Sequence, residues 1–303
     1  MSAEFTSKEL KKFKEIIRKR SVAKDPIETG FEPQLSPLKN IKAVFFDVYG
    51  TILISGTEPM QQDGKERQIK AMQESFQAFG ISMEPDVAKK AVNVLHKIIR
   101  KTHHKKKEEG KDYPEVDIIR VWIEAVRELE EEEMIGGFDF DDIPALVTEF
   151  VTRYDEPWLM PGLQSTLDSL QESDRLLGII SNSQFYSPLT LEALTEKSLE
   201  EMGFHPDLLF WSFSEDIAKP SVHFYEIASK KLREDYEIEP EEVLFVGNDM
   251  LNDVYPAAEA GFKTALFAGD QRSLRLREND ERCQNIEPDI SITHLSQIPE
   301  CLD

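Results

Sequence analysis

Two cysteines, Cys283 and Cys301, are all that the 303 residues contain, and both lie near the C-terminal end. So few thiols exclude a disulfide framework as the source of stability, and a reducing compartment fits. Long hydrophobic runs are missing too. The longest, such as Leu176–Ile180 and Leu208–Trp211, fall far short of the roughly 20 residues a membrane helix needs. Met1 to Glu4 lead into a charged stretch with no apolar segment behind it, so the sequence predicts a cytoplasmic protein without stable membrane insertion. Positive charge is scarce: 36 Lys+Arg stand against 58 Asp+Glu, a formal net charge of −22. Binding a nucleic-acid backbone needs a surplus of cations, so nucleic acid is excluded as a bulk partner. A small basic pocket is not excluded, because net charge governs solubility and steering and not the field inside a cleft. No tandem repeat or low-complexity tract stands out.

What is present is material for real cores: 40% hydrophobic and 31% charged residues over a length of about two domains. Acidity is uneven. Residues 1–24 hold eight Lys/Arg and three Glu, a net of +5 that leaves −27 for the rest. Within this arm Leu10, Phe13, Ile16 and Ile17 recur at helical spacing, one apolar stripe on a basic helix. Such a helix packs on the body of its own chain, or docks a second copy, a protein partner or an anionic surface. Pro26, Gly30, Pro33 and Pro37 then punctuate a linker.

The first strong strand is Ile41–Phe46, an apolar run ending abruptly at Asp47 and suited to a strand buried on both faces. Similar runs recur at Leu176–Ile180, Leu208–Trp211, Val243–Val246 and Lys263–Phe267. Helical patterns at Leu163–Leu170, Thr190–Met202, Val222–Leu232 and Val254–Ala260 lie between them. This alternation predicts an α/β fold with a doubly wound parallel sheet. One interval breaks it. Between about Gln61 and Tyr154 there is no convincing strand, only the helical stretches Gln68–Phe79, Val87–His103, Val116–Glu133 and Asp142–Val151, with junctions near Ser55–Glu58 and Glu156–Pro161. The predicted organisation is a basic N-terminal helix and linker (1–40), a core domain (41–58 and 157–303) and an inserted all-helical domain (59–156). Inside the insertion, Lys97–Lys111 carries seven Lys/Arg plus His103 and His104, and the acidic run Glu130–Glu133 lies beyond it; both read as solvated faces.

In an open parallel sheet ligands sit beyond the carboxyl ends of the strands, so the residues just past each run matter most. Asp47-Val48-Tyr49-Gly50-Thr51 comes after the first run and Ser181-Asn182 after the second. Lys219-Pro220 lies past the third, and Gly247-Asn248-Asp249 with Asp253 past the fourth. Alone, each has an ordinary explanation: a helix cap, a turn residue, a surface lysine. Together they bring a carboxylate, a hydroxyl, an ammonium and two further carboxylates to one rim. For a phosphate ester each has a task. A carboxylate can attack phosphorus and form an acyl-phosphate. A hard Mg²⁺, held by few carboxylates and several waters, offsets the repulsion between two anions. Ser181, Asn182 and Lys219 can hold the phosphoryl oxygens, and Gly50 permits a tight turn.

Order and spacing of these four motifs resemble the haloacid dehalogenase-like hydrolases over roughly residues 41–268. Asp47 to Thr51 look like the first motif, Ser181 the second, Lys219 the third, and Asp249 with Asp253 the fourth. Trp158-Leu159-Met160-Pro161-Gly162 resembles the return from that family's helical cap. The resemblance implies Asp47 as nucleophile and Mg²⁺ bound by Asp47, the Tyr49 carbonyl and Asp249. Asp253 would ligate through water or orient Lys219. The substrate implied is a small phosphorylated metabolite, hydrolysed through an aspartyl-phosphate.

One position departs from that pattern. Phosphatases of the family carry a second aspartate as general acid and base where this chain has Tyr49, and a phenol of ordinary pKa about 10 is a poor base near neutrality. Tyrosine there marks the metal-independent 2-haloacid dehalogenases, in which the aspartate displaces halide from carbon. Those enzymes resemble a Ser-Ser-Asn-x-x-Asp fourth motif, however, and this chain has Asp249 in place of the serine; Arg67 is the one candidate for their cap arginine. The sequence therefore favours a Mg²⁺-dependent phosphatase, with the dehalogenase as alternative. A third reading, a noncatalytic regulatory protein using its basic N-terminal helix, conflicts with retention of Asp47, Lys219 and Asp249.

Overall fold

The computed structural model describes residues 5–55 and 62–303, so the junction expected near Ser55–Glu58 falls largely outside the described residues, as do Met1–Glu4. In chain order the elements are α1 (Ser7–Arg20), β1 (Ala43–Phe46), β2 (Leu53–Ile54), α2 (Gln62–Ala78), α3 (Pro85–Glu108), α4 (Ile118–Glu131) and α5 (Ile143–Tyr154). Next come β3 (Trp158–Leu159), α6 (Leu163–Glu172), β4 (Leu176–Ser181), α7 (Tyr186–Thr195), β5 (Phe204–Trp211), α8 (Ser212–Glu215) and α9 (Val222–Tyr236). The chain finishes with β6 (Val243–Gly247), α10 (Tyr255–Glu259), β7 (Lys263–Phe267), β8 (Ile290–Ile292) and α11 (Gln297–Glu300). No described helix is long and apolar enough to cross a membrane.

The chain divides into two compact units. One comprises Ala23–Gly56, Trp158–Ser183 and Thr195–Asp303. Its six-stranded sheet has the order β5-β4-β1-β6-β7-β8, and every pairing in it is parallel. Continuous apolar runs make this possible. All residues of β1 and β6 are buried, and the helices α9 and α10 bring Phe224, Tyr225 and Ala257 against Phe45, Phe245 and Phe262. From β1 the chain steps outward through β4 to β5, then returns to the other side of β1 and continues through β6, β7 and β8. Strand order thus reverses between β1 and β6, and a crevice opens at the carboxyl ends of two such strands. The short β2 and β3 pair antiparallel as a separate ribbon.

Two sequence expectations shift. The helix expected over Thr190–Met202 spans Tyr186–Thr195, because Pro188 is tolerated in a first turn and Glu196 adopts a left-handed φ of 58° that ends the helix. Strand β8 pairs with β7 although its apolar run, no longer than three residues, carries no strand signal.

The other unit comprises Met1–Val22, Thr57–Pro157 and Gln184–Leu194, and its described elements are the helices α1 to α5 and α7. Helix α1 starts at a capping box in which Thr6 and Glu9 exchange hydrogen bonds, and it ends on Arg18-Lys19-Arg20, matching the helix dipole at both ends. It buries Phe13 and Ile17; Phe13 packs edge-on against Phe5 and Phe185. The polar side of α1 reaches Asp142 and Glu149 in the inserted helices through Lys12 and Arg20, and Glu192 of α7 through Lys14. Helix α4 carries the most sharply divided sequence, with Val121, Trp122, Ala125, Val126 and Leu129 on its buried face.

Candidate active site

Strand β1 ends where its backbone must leave the sheet, and Asp47 is the first residue beyond it, with its N–H still bonded to the Val246 carbonyl at 2.9 Å. A tight turn comes next. The Val48 carbonyl accepts from Ile52 and Leu53, and Gly50 donates to the Leu53 carbonyl at 2.7 Å. Gly50 has φ +87°, and a Cβ there would lie 2.6 Å from the Ser273 side chain and 2.7 Å from Asn248 Nδ2, so conformation and space both demand glycine. The turn is locked from the β6 side. Thr51 Oγ1 donates to Asn248 Oδ1 at 3.0 Å, Asn248 Nδ2 donates to the Ser273 carbonyl at 2.6 Å, and Ser273 Oγ donates to the Gly50 carbonyl at 3.2 Å.

The residues singled out by sequence do meet. Lys219 Nζ donates to Asp47 Oδ1 at 2.6 Å and to Asp253 Oδ1 at 2.5 Å, and Ser181 Oγ donates to Asp47 Oδ1 at 3.0 Å. All four side chains are buried. The other oxygen of Asp253 accepts the Asp249 N–H at 2.9 Å. Gly247 makes room for it, since a Cβ there would lie 2.4 Å from the Asp253 side chain. Residues Met250–Val254 form a π-helical turn, the kind of local irregularity that re-aims side chains at functional sites. The buried Tyr225 hydroxyl pins it by donating to the Asn252 carbonyl at 2.9 Å.

Asn182 is brought to the same place for a different task. Its Oδ1 accepts the Lys219 N–H at 2.7 Å and its Nδ2 donates to the Lys219 carbonyl at 3.1 Å, so its amide clamps the Lys219 backbone. The Lys219-Pro220 bond next to this clamp is cis. Tyr49 sits half-buried in the turn, bridged through its backbone to Leu53.

Electrostatics derive from the burial. Asp253 is pushed up to about 7 by desolvation and by the Asp47 and Asp249 carboxylates, with Lys219 pulling the other way. For Lys219 burial pulls downward, but Asp253 and Asp47 outweigh it and hold the ammonium above the ordinary lysine range. The Tyr225 phenol is raised well above its ordinary value by burial and by the three aspartates. These are the marks of a pocket crowded with negative charge.

Asp47, Asp249 and Asp253 offer hard oxygen donors, the chemistry Mg²⁺ requires, and Mg²⁺ commonly takes only one or two protein carboxylates beside water and substrate. The crowding that raises Asp253 is what a cation would relieve, so the donor set suits the ion. Among the described residues, no group of three or more His, Cys, Asp or Glu side chains forms a ready-made cage. Asp249 is also engaged already. Arg277 Nη2 lies 2.6 Å from Asp249 Oδ2 and Arg277 Nε 3.0 Å from Oδ1, a fork on the carboxylate, while Leu251 N–H and Asn252 Nδ2 donate to the same oxygens.

Arg277, Ser273 and Tyr225 are site residues that the strand-end pattern did not single out, and Asn248, which that pattern places at the rim, carried no role there. For Ser273 and Arg277 a signal exists: the stretch Asp270–Arg277 lies just beyond the fifth apolar run, Lys263–Phe267, where the same rule of strand ends applies. Tyr225 carries no such signal, being one aromatic on the buried face of α9.

A model of the haloacid dehalogenase-like hydrolases matches residues 41–261. No curated protein matches the chain. Among solved structures, the chain is similar to a 2-haloacid dehalogenase from Pseudomonas syringae pv. Tomato DC3000, at 19% identity and TM-score 0.56, covering 86% of this chain and 97% of that one. It is also similar to a dehalogenase solved with an intermediate complex, at 18% identity and TM-score 0.50, covering 88% and 98%. A HAD phosphatase from Thermococcus onnurineus matches at 20% identity and TM-score 0.48, covering 86% and 97%. At these identities the likeness to the two dehalogenases is one of fold.

Proposed function

Because the chain belongs to the haloacid dehalogenase-like hydrolases, we propose that it hydrolyses a small phosphomonoester through attack by Asp47. The observation that carries this reading is the surplus of buried carboxylates. Asp47 and Asp253 hold the buried ammonium of Lys219, Asp249 adjoins Asp253 through its backbone N–H, and both Ser181 and Lys219 donate to Oδ1 of Asp47, which leaves Oδ2 to attack.

In the first step Asp47 Oδ2 forms a bond to phosphorus as the bond from phosphorus to the leaving oxygen breaks, and that oxygen takes a proton from solvent water to depart as the alcohol. In the second, water opens the acyl-phosphate, returning the carboxylate and releasing phosphate. Ser181 and Lys219 hold Asp47 against rotation, and their donor hydrogens turn to the phosphoryl oxygens where negative charge gathers. Asp253 keeps the ammonium aimed, and Asn182 fixes the Lys219 backbone. Asp47, the Tyr49 carbonyl and Asp249 would hold Mg²⁺, which supplies screening between the attacking carboxylate and the phosphate dianion.

Tyr49 favours a second reading, displacement of halide from carbon, in which no general acid is needed two residues after the nucleophile. One comparison separates the two: release of phosphate from p-nitrophenyl phosphate and a phosphate-ester panel, with Mg²⁺ and with EDTA, beside chloride release from L-2-chloropropionate. The expected result is Mg²⁺-dependent phosphate release that drops by about 10³-fold or more in Asp47→Asn. EDTA-resistant chloride release without phosphatase activity would overturn the phosphatase reading and establish the second.

A further inference from the structure

The loop after β7 runs beside the fourth motif and is fastened to it at two levels. Asn248 Nδ2 holds the Ser273 carbonyl; then Arg275 N–H donates to the Asn248 carbonyl at 3.0 Å and its carbonyl accepts Met250 N–H at 2.9 Å, a β-bridge across Asp249. Two residues on, Arg277 takes a left-handed φ of 53°, a conformation non-glycine residues adopt at a cost. The result is a forked guanidinium on Asp249, with contacts at 2.6, 3.0 and 3.2 Å. Asp249 is 9% exposed in its side chain and Arg277 39%, so the carboxylate is fixed and the arginine has solvent into which it can withdraw.

We infer that Arg277 is a built-in competitor for the metal site: its guanidinium and Mg²⁺ bind the Asp249 carboxylate alternately, so that cation binding requires Arg277 to swing away. This rests on the proposed role of Asp249 as a metal ligand. The physical argument is one of lone pairs and charge. A fork that uses both carboxylate oxygens, beside the bonds from Leu251 and Asn252, leaves no oxygen free for the short, octahedral contacts that Mg²⁺ demands. With Arg277 in place the three aspartates face two singly charged cations, which leaves one negative charge in excess; with Arg277 withdrawn, a divalent ion beside Lys219 matches all three. The exchange moves no covalent bond and needs only one exposed side chain to change rotamer.

Calorimetric titration of the 303-residue chain with MgCl₂ tests this without reference to turnover. Arg277→Ala is expected to bind Mg²⁺ on the order of tenfold more tightly than wild type, since a charge-assisted fork no longer has to break. Arg275→Ala removes an equal charge from the same loop but touches Asp249 only through the backbone; it is expected within about twofold of wild type. Asp249→Asn is expected to lose binding. Thermal melts of each variant establish that it is folded. Equal affinity in wild type and Arg277→Ala, or an equal gain in Arg275→Ala, would overturn the competition and leave the metal reading standing. Absence of Mg²⁺ binding in folded wild type and folded Arg277→Ala alike would overturn the metal reading itself, and the competition with it.

Discussion

Asp253 has one oxygen on the Lys219 ammonium and the other on the Asp249 backbone, and almost none of its surface meets water. Its carboxyl is pushed up to about 7, chiefly by burial, against about 4 in an unfolded chain. Between those values the folded protein holds a proton that the unfolded chain has released. The stability this contributes is therefore full below about pH 4 and is lost as pH rises through 7. Replacing Asp253 by Asn removes the titration. Melting curves from pH 5 to 8 in metal-free buffer are expected to show wild type losing stability relative to Asp253→Asn as pH rises; parallel curves would exclude the shift. Apart from this charge chemistry, the site at residue scale depends on close approach: at Gly50 and Gly247 any Cβ would strike Asn248, Ser273 or Asp253.

At the scale of the element, α1 shows which of its two faces matters. Its basic side forms ion pairs with Asp142, Glu149 and Glu192, but Lys12 and Asp142 are 47% and 38% exposed in their side chains, and pairs so wet contribute little. The apolar side buries Phe13 to 2% exposure between Phe5 and Phe185. Phe13→Ala is expected to destabilise the helical unit by about 3–5 kcal/mol and Lys12→Ala by no more than about 1 kcal/mol, measured by urea unfolding. Equal losses would place the stability of α1 in its charges. Periodicity made the stripe of α1 and the buried strands β1 and β6 readable, because burial on a fixed face leaves a repeating pattern. It did not reveal β8 or the true span of α7. A three-residue edge strand is too short for a pattern, and the left-handed turn at Glu196 that stops α7 falls on a residue with no turn preference of its own.

For the molecule as a whole the net charge of −22 implies self-repulsion in the compact state. Raising NaCl from about 20 to about 200 mM shortens the range of that repulsion to less than the diameter of a domain. The apparent melting midpoint is expected to rise by a few degrees, equivalent to about 1 kcal/mol for units of this size, with no contribution from exposed ion pairs, which salt weakens. A falling midpoint would mean that surface ion pairs outweigh the repulsion. The acidity also has an inward counterpart, since the same excess of carboxylates recurs within the core around Lys219.

Sequence by itself determined five of the six strands of the parallel core, the helical character of the insertion and the rim residues Asp47, Ser181, Lys219, Asp249 and Asp253, because apolar runs and the residues that end them are local facts. Only the tertiary structure decided what those residues touch. Asn182 serves the Lys219 backbone, Asp253 divides itself between Lys219 and Asp249, and Arg277, 28 positions beyond Asp249, covers that carboxylate. Hydrogen-bond partners depend on which strand ends lie side by side, and the reversal of strand order between β1 and β6 is a property of the assembled sheet that no local pattern encodes.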